Sequence, residues 1–242
     1  PDTAILPMIG SGKVWEILDN RLYAWAGPGL PDHHYFQTID KEYMRDDEYP
    51  LLIADPSGFW IKYYLPRVFG ALEPLRKMFQ IPTLTEIVHV GAAALPFGMP
   101  DVQEMLKKLT EAGNEAMKYT DIFMKLGAQL QSSGFPTLKS GFAKAPFDMI
   151  GDTMRGVKGM VMDMYRRPND VIAACERLAT IVIRDAIEAC DRMGAAFVFF
   201  PLHKGADTFM SPDQFKKFYW PSLRAIMEAL NSEGIIPILF AE

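Results

Sequence analysis

Two apolar runs, residues 195–200 (Ala-Ala-Phe-Val-Phe-Phe) and 235–240 (Ile-Ile-Pro-Ile-Leu-Phe), constrain the fold of this chain more than any other feature. Continuous rather than alternating apolar residues predict strands buried on both faces, as in a parallel sheet. Between the runs the start of a helix is written out: Ser211 as cap, Pro212 in the first turn and Gln214 closing a Ser-x-x-Gln box. Phe215, Phe218, Leu223, Ile226, Met227 and Leu230 carry its apolar face towards Gly234. Upstream, residues 169–193 place Val171, Ile172, Cys175, Leu178, Ala179, Val182, Ile183, Ala186 and Ile187 at helical spacing, and Gly194 ends the segment. Residues 137–143 read as a further strand, followed by a helical turn over 148–155 and a loop through Gly156 and Gly159. Strand and helix in alternation predict parallel βα units.

Two α/β architectures use such units, the doubly wound sheet and the (β/α)8 TIM barrel. The glycine-rich dinucleotide fingerprint follows none of the strands, so no nicotinamide or flavin is expected and the barrel is preferred. Gly10-Ser-Gly-Lys13 is no phosphate loop, because Pro7 stands where the earlier glycine belongs and Val14 follows the lysine. The chain begins at Pro1 and stops at Glu242, just after an apolar run. The expectation is therefore one incomplete barrel domain over 1–242, cut from the middle of a longer chain. Its first hundred residues are irregular and proline-rich, with short helices over 14–18, 41–45 and 64–79 and a strand over 84–91. From Asp101, an amphipathic helix runs to about Gly134 through Val102, Met105, Leu109, Ala112, Ala116, Phe123 and Leu130.

Composition excludes several functions. Hydrophobic residues at 49% and charged residues at 23% rule out a disordered chain, a collagen repeat and a coiled-coil rod. No stretch approaches about 18 uninterrupted apolar residues, so no membrane partner is expected. A net charge of −5 argues against nucleic acid, which needs clustered Lys and Arg. Cys175 and Cys190 alone support neither a disulfide scaffold nor a four-ligand zinc site, read as packing residues, and suit a reducing cytoplasm.

In parallel βα proteins the loops after the strands build the site. Lys144-Ala-Pro-Phe-Asp148 follows one strand, with Asp152 and Arg155 one and two turns on. Asp148, Asp152 and Arg155 are spaced for one helical face, where carboxylate and guanidinium can share a ligand or simply pair; for Asp148 a cap or structural salt bridge is the expectation. Pro201-Leu-His203-Lys204-Gly205-Ala-Asp207 follows the next strand. His203 there suits a general base, a metal ligand or an anion contact, or a loop histidine satisfying backbone groups. Lys204 suits a carboxylate or phosphate, or solvent; Asp207 suits the site or a turn. Glu242 ends an apolar strand, where a lone carboxylate either meets a metal or emerges into water. Asp32-His33-His34 reads as a surface or substrate loop, His89 as a satisfied core residue, and Asp46-Asp-Glu48 as a solvated face.

Four stretches carry a family resemblance: Ser140-Gly-Phe-Ala-Lys-Ala-Pro-Phe147, Met164-Tyr-Arg-Arg-Pro168, Ser211-Pro-Asp-Gln-Phe-Lys-Lys-Phe218 and Trp220-Pro-Ser-Leu223. Together they resemble the uroporphyrinogen decarboxylase superfamily, (β/α)8 barrels that include decarboxylases and cobalamin-dependent methyltransferases. Decarboxylases carry a Tyr where this chain has Asp152, and an Arg-rich amino-terminal segment that this chain does not show. Methyltransferases carry His-x-Cys for zinc where this chain reads Phe240-Ala-Glu242. The resemblance implies an enzyme of a divergent branch. The first expectation is corrinoid-linked methyl transfer from a small methylated substrate. His203 and Asp152 would be catalytic, with Lys204, Arg155, Lys144 and Asp207 on the substrate and Glu242 on zinc. A corrinoid protein is the expected partner, and a homodimer a further one. A uroporphyrinogen decarboxylase and a non-catalytic tetrapyrrole-binding or scaffold barrel are the alternatives.

Overall fold

A computed structural model of the chain describes residues 11–27, 29–34, 36–78, 81–135 and 137–241. They divide into two compact units, Pro1–Ile39 with Ser57–Leu138, and Asp40–Pro56 with Lys139–Glu242. The long amphipathic helix belongs to the first unit. None of the described helices is long and apolar enough to cross a membrane.

The first unit holds helix α1 (Gly12–Ile17), the antiparallel strands β1 (Tyr23–Trp25) and β2 (Phe36–Thr38), and the long helix α2 (Pro100–Ser132). Pro100 occupies the first turn of α2, where a missing N–H costs nothing. Val102 and Met105 pack with Leu72 and Met78 into a core flanked by Leu18, Leu65, Phe69, Leu75 and Met99. Trp15 lies against Tyr23 and Phe69, with ring centroids 5.0 and 5.5 Å away. Three expectations fail here. Residues 84–91 are not a strand: a 3-10 turn, Ile81–Thr85, leads to a helix, Val90–Ala94. Ile87 and Val88 are exposed, so their β propensity finds no pleated surface to pack on. His89 is exposed before that helix and not a core residue. The helix expected over 64–79 breaks into Leu65–Val68 and a 3-10 stretch, Gly70–Lys77, which contains Pro74.

The second unit is built of β3 (Gly141–Phe142), α3 (Pro146–Thr153), α4 (Gly156–Arg166), α5 (Pro168–Met193), β4 (Phe197–Leu202), α6 (Trp220–Ser232) and β5 (Ile236–Ala241). The strands form a parallel sheet in the order β3-β4-β5, with Gly141 opposite Val198 and Phe197 to Leu202 opposite Ile236 to Ala241. Val198 and Phe200 are fully buried on one face of β4, while Phe199 stacks on Phe240 across the other. Helix α5 buries Val171, Ala174, Cys175, Leu178, Ala179, Val182, Ala186 and Cys190. Each large aliphatic group among them contributes about 1.5–3 kcal/mol of burial. Gly194 ends α5 in the left-handed conformation (φ 59°), the role its position predicts. Both cysteines pack as expected.

The closed cylinder that the alternation predicts is not formed by the described residues, whose three parallel strands leave β5 at an edge with Ile236, Leu239 and Phe240 exposed. The loop expected through Gly156 and Gly159 is helical: α4 buries Met160, Asp163 and Met164. A Cβ on Gly159 would lie 3.1 Å from the Arg155 guanidinium, so this glycine serves close approach and not a turn. Residues 41–45 are not helical either, because the N–H groups of Tyr43 and Met44 both donate to the Met154 carbonyl at 2.8 Å. Glu48, assigned to a solvated face, is buried and accepts the Arg45 N–H at 2.8 Å.

Candidate active site

A cluster of charged side chains lies at the carboxyl ends of β3 and β4, where parallel α/β folds carry their sites. Lys144 follows β3. The Pro146 that comes next starts α3, placing Asp148 and Asp152 one turn apart on the same face. His203 and Lys204 leave β4 directly after Leu202. The structure brings four predicted residues together on one carboxylate: His203 Nδ1 stands 2.6 Å from Asp152 Oδ2, and the ammonium groups of Lys144 and Lys204 both donate to Asp152. The side chains of Asp152 and Lys204 are about nine-tenths buried, whereas Lys144 and His203 are half-buried.

Electrostatics fix the protonation pattern. Burial pushes the Asp152 carboxyl up, but the His203 hydrogen bond and the two ammonium groups outweigh it and hold the group far below the usual carboxylate range. An ionised carboxylate only accepts, so the imidazole donates through Nδ1. The bond to Asp152 raises His203 above its ordinary value against the opposing effects of burial and Lys144. Lys204 Nζ also lies 5.6 Å from the centre of the Phe209 ring, and Phe147 meets that ring edge-on. A Cβ on Gly151 would come within 2.8 Å of Lys204 Cδ, so only glycine at this point of α3 leaves the lysine room.

Asp148 is not the helix cap expected of it. Its fully buried carboxylate accepts the His203 N–H and the Lys204 N–H, both at 3.0 Å, and the Tyr219 hydroxyl at 2.6 Å. Burial pushes Asp148 up and the Tyr219 bond opposes it; burial with the nearby Asp148 charge pushes Tyr219 well above its usual range. Tyr219 was not singled out in the sequence, though a buried tyrosine needs a partner for its hydroxyl. It closes a π-helical stretch, Phe215–Tyr219, entered from the Ser211–Gln214 capping box, in which Ser211 Oγ accepts from the Gln214 N–H and Gln214 Oε1 from the Ser211 N–H. A π turn of this kind is frequent at functional sites.

Arg155 does not join the cluster. Helix α3 ends at Thr153, and Arg155 instead makes a buried pair with Asp163, Nε to Oδ2 at 2.6 Å, and further bonds to Glu42 and the Met44 carbonyl. The Tyr49 hydroxyl donates to the same Asp163 at 2.9 Å. This replaces the substrate contact expected of Arg155: its donors are spent on folding the unit. Asp207 sits exposed in the turn that brings the Phe209 N–H to the Ala206 carbonyl, on the side of its alternatives that leaves it out of the cluster. Asp32, His33 and His34 are exposed in the first unit. Glu242 lies outside the described residues.

Both Asp152 oxygens already accept from ammonium groups and the imidazole, and among the described residues no three His, Cys, Asp or Glu side chains gather as ligands.

No curated protein matches the chain. Residues 129–242 match the family model described as Uroporphyrinogen decarboxylase (URO-D), the same stretch that contains β3 to β5 and the cluster on Asp152. That family implies a TIM barrel; the described residues show three adjacent parallel strands. Over residues 129–242, the chain is similar to the uroporphyrinogen decarboxylase family.

Proposed function

We propose that this chain carries the oxyanion-binding and proton-transfer site of a superfamily enzyme that removes a methyl group from a small methylated substrate. The observation that supports this reading is the cluster of cations at the strand ends: Lys144, Lys204 and His203 surround the ionised carboxylate of Asp152. Such a site stabilises negative charge as it develops on a leaving oxygen, where preorganised donors contribute most. As the methyl–oxygen bond breaks, the electron pair stays on oxygen, and the ammonium groups of Lys144 and Lys204 stabilise it. The His203 imidazolium gives that oxygen a proton while its Nδ1–H remains on Asp152. The methyl acceptor would be a reduced corrinoid carried on a partner protein.

Decarboxylation of a tetrapyrrole is the second reading, favoured by the same lysine pair, which holds a carboxylate equally well. It is weakened by Arg155. A substrate with several carboxylates needs several cations, and this one is committed to Asp163. Anaerobic incubation with uroporphyrinogen, and separately with reduced cobalamin and small methyl ethers, separates the readings. Methylated cobalamin without carbon dioxide supports methyl transfer, and carbon dioxide release overturns it. Silence in both assays overturns the enzyme reading in favour of a binding or scaffold barrel.

A further inference from the structure

We infer that Asp148 is a positioning residue: its buried carboxylate bends the chain leaving β4 so that the adjacent side chains of His203 and Lys204 converge on Asp152. The inference rests on the reading of that cluster as the reactive site. Consecutive residues of an extended chain project to opposite faces. Here two consecutive residues reach one carboxylate, His203 through Nδ1 and Lys204 through Nζ. Asp148 turns the chain. Asp148 Oδ2 accepts the N–H of His203 and Oδ1 accepts the N–H of Lys204, so one carboxylate grips two successive peptides. Asp148 lies one helical turn before Asp152 on α3, which places the grip and the common acceptor at a set separation on one rigid element.

A third bond steadies the grip. The Tyr219 hydroxyl donates to Oδ2 from the end of the π-helical stretch, tying α3, the exit of β4 and the segment before α6 to one side chain. A carboxylate is costly to bury, and the neighbouring Asp152 charge adds to that cost. An apolar residue would fill the space at less expense but would leave both peptide N–H groups buried without acceptors.

The test reads His203 directly, without substrate. In isotope-labelled protein, with the imidazole signal assigned by His203→Gln, the groups facing His203 are Asp152, Asp148, Lys144 and the neighbouring Lys204. Asp148→Asn should fold, with the His203 titration midpoint dropping towards about 6.5 and kcat falling about 100-fold, the size of effect that a misplacement near 1 Å produces. A folded variant with the wild-type midpoint overturns the inference. Should the variant fail to fold, amide exchange in the wild-type chain decides. Protection of the His203 and Lys204 amides equal to that of β4 supports the grip, and exchange at the rate of an open loop overturns it. Loss of the proposed reaction alone leaves this measurement standing.

Discussion

Replacing Asp152 by Asn removes one charge from the point where three cationic groups meet and leaves the side-chain shape unchanged. The side chains of Asp152 and Lys204 retain 9% and 10% of their exposure, so at pH 7 the Lys204 ammonium would be left buried without its counter-charge. Breaking a fully buried pair from one side costs about 3–5 kcal/mol. Lys144 and His203 keep 22% and 32% of their exposure, and water takes over part of their loss. The lower end, about 3 kcal/mol, is therefore expected. Near 2–4 °C per kcal/mol, the Tm of the transition that includes α3 and β4 falls by about 6–12 °C. The effect has a defined pH window. The folded carboxyl titrates below its unfolded value, so its stabilisation is complete above about 3.9 and disappears as pH falls through the lower folded value. Thermal melts of wild type and Asp152→Asn should thus differ fully at pH 7 and converge only in strong acid. The His203 midpoint in the same variant drops towards about 6.5. A loss below about 1 kcal/mol at pH 7 with an unmoved His203 midpoint would refute the cluster's electrostatics.

Further outcomes follow from the same contacts. As proton donor, His203 works only when charged, and its midpoint is raised, so turnover should fall as pH rises through a value above about 6.5; a rate that climbs over that range eliminates the donor role. Asp163→Asn removes the buried counter-charge of the Arg155 guanidinium and leaves one acceptor oxygen where Arg155 and the Tyr49 hydroxyl now use two; with Glu42 and the Met44 carbonyl still bonded to Arg155, the cost by urea unfolding should be about 3 kcal/mol. The His203 midpoint should stay where it is in that variant; a shift would mean that Arg155 does reach the site. Gly151→Ala presses a methyl group on Lys204 and should raise KM for the anionic substrate about tenfold, or roughly 1.4 kcal/mol, with kcat little changed. An unchanged KM would remove Lys204 from substrate binding.

Much of the second unit is legible in the chain because its signals are local. The Ser211–Gln214 box, the Gly194 stop and the apolar spacing of α5 act over one to a few turns, and each stands where its spacing places it. The strand-end position of His203 and Lys204 follows equally from β4, an uninterrupted apolar run. Extrapolation failed where a local rule had to be carried past an element's end. Arg155 has the right spacing after Asp152, but α3 stops at Thr153 and the buried Asp163 decides where the guanidinium goes. The same limit hid the helical Gly159, whose Cβ position faces not only Arg155 but also Glu42, far back along the chain.

Sequence alone determined that this chain makes parallel βα units, and which loops leave the strand ends, because hydrogen-bonding and apolar periodicity are properties of neighbouring residues. Tertiary structure alone decided that Asp152 is the common acceptor and Asp148 the grip. Their partners lie 51 residues away at His203 Nδ1, 55 at the His203 N–H and 71 at Tyr219. Contacts of that span are chosen by packing, since a buried carboxylate is tolerated only where the fold delivers enough donors to it.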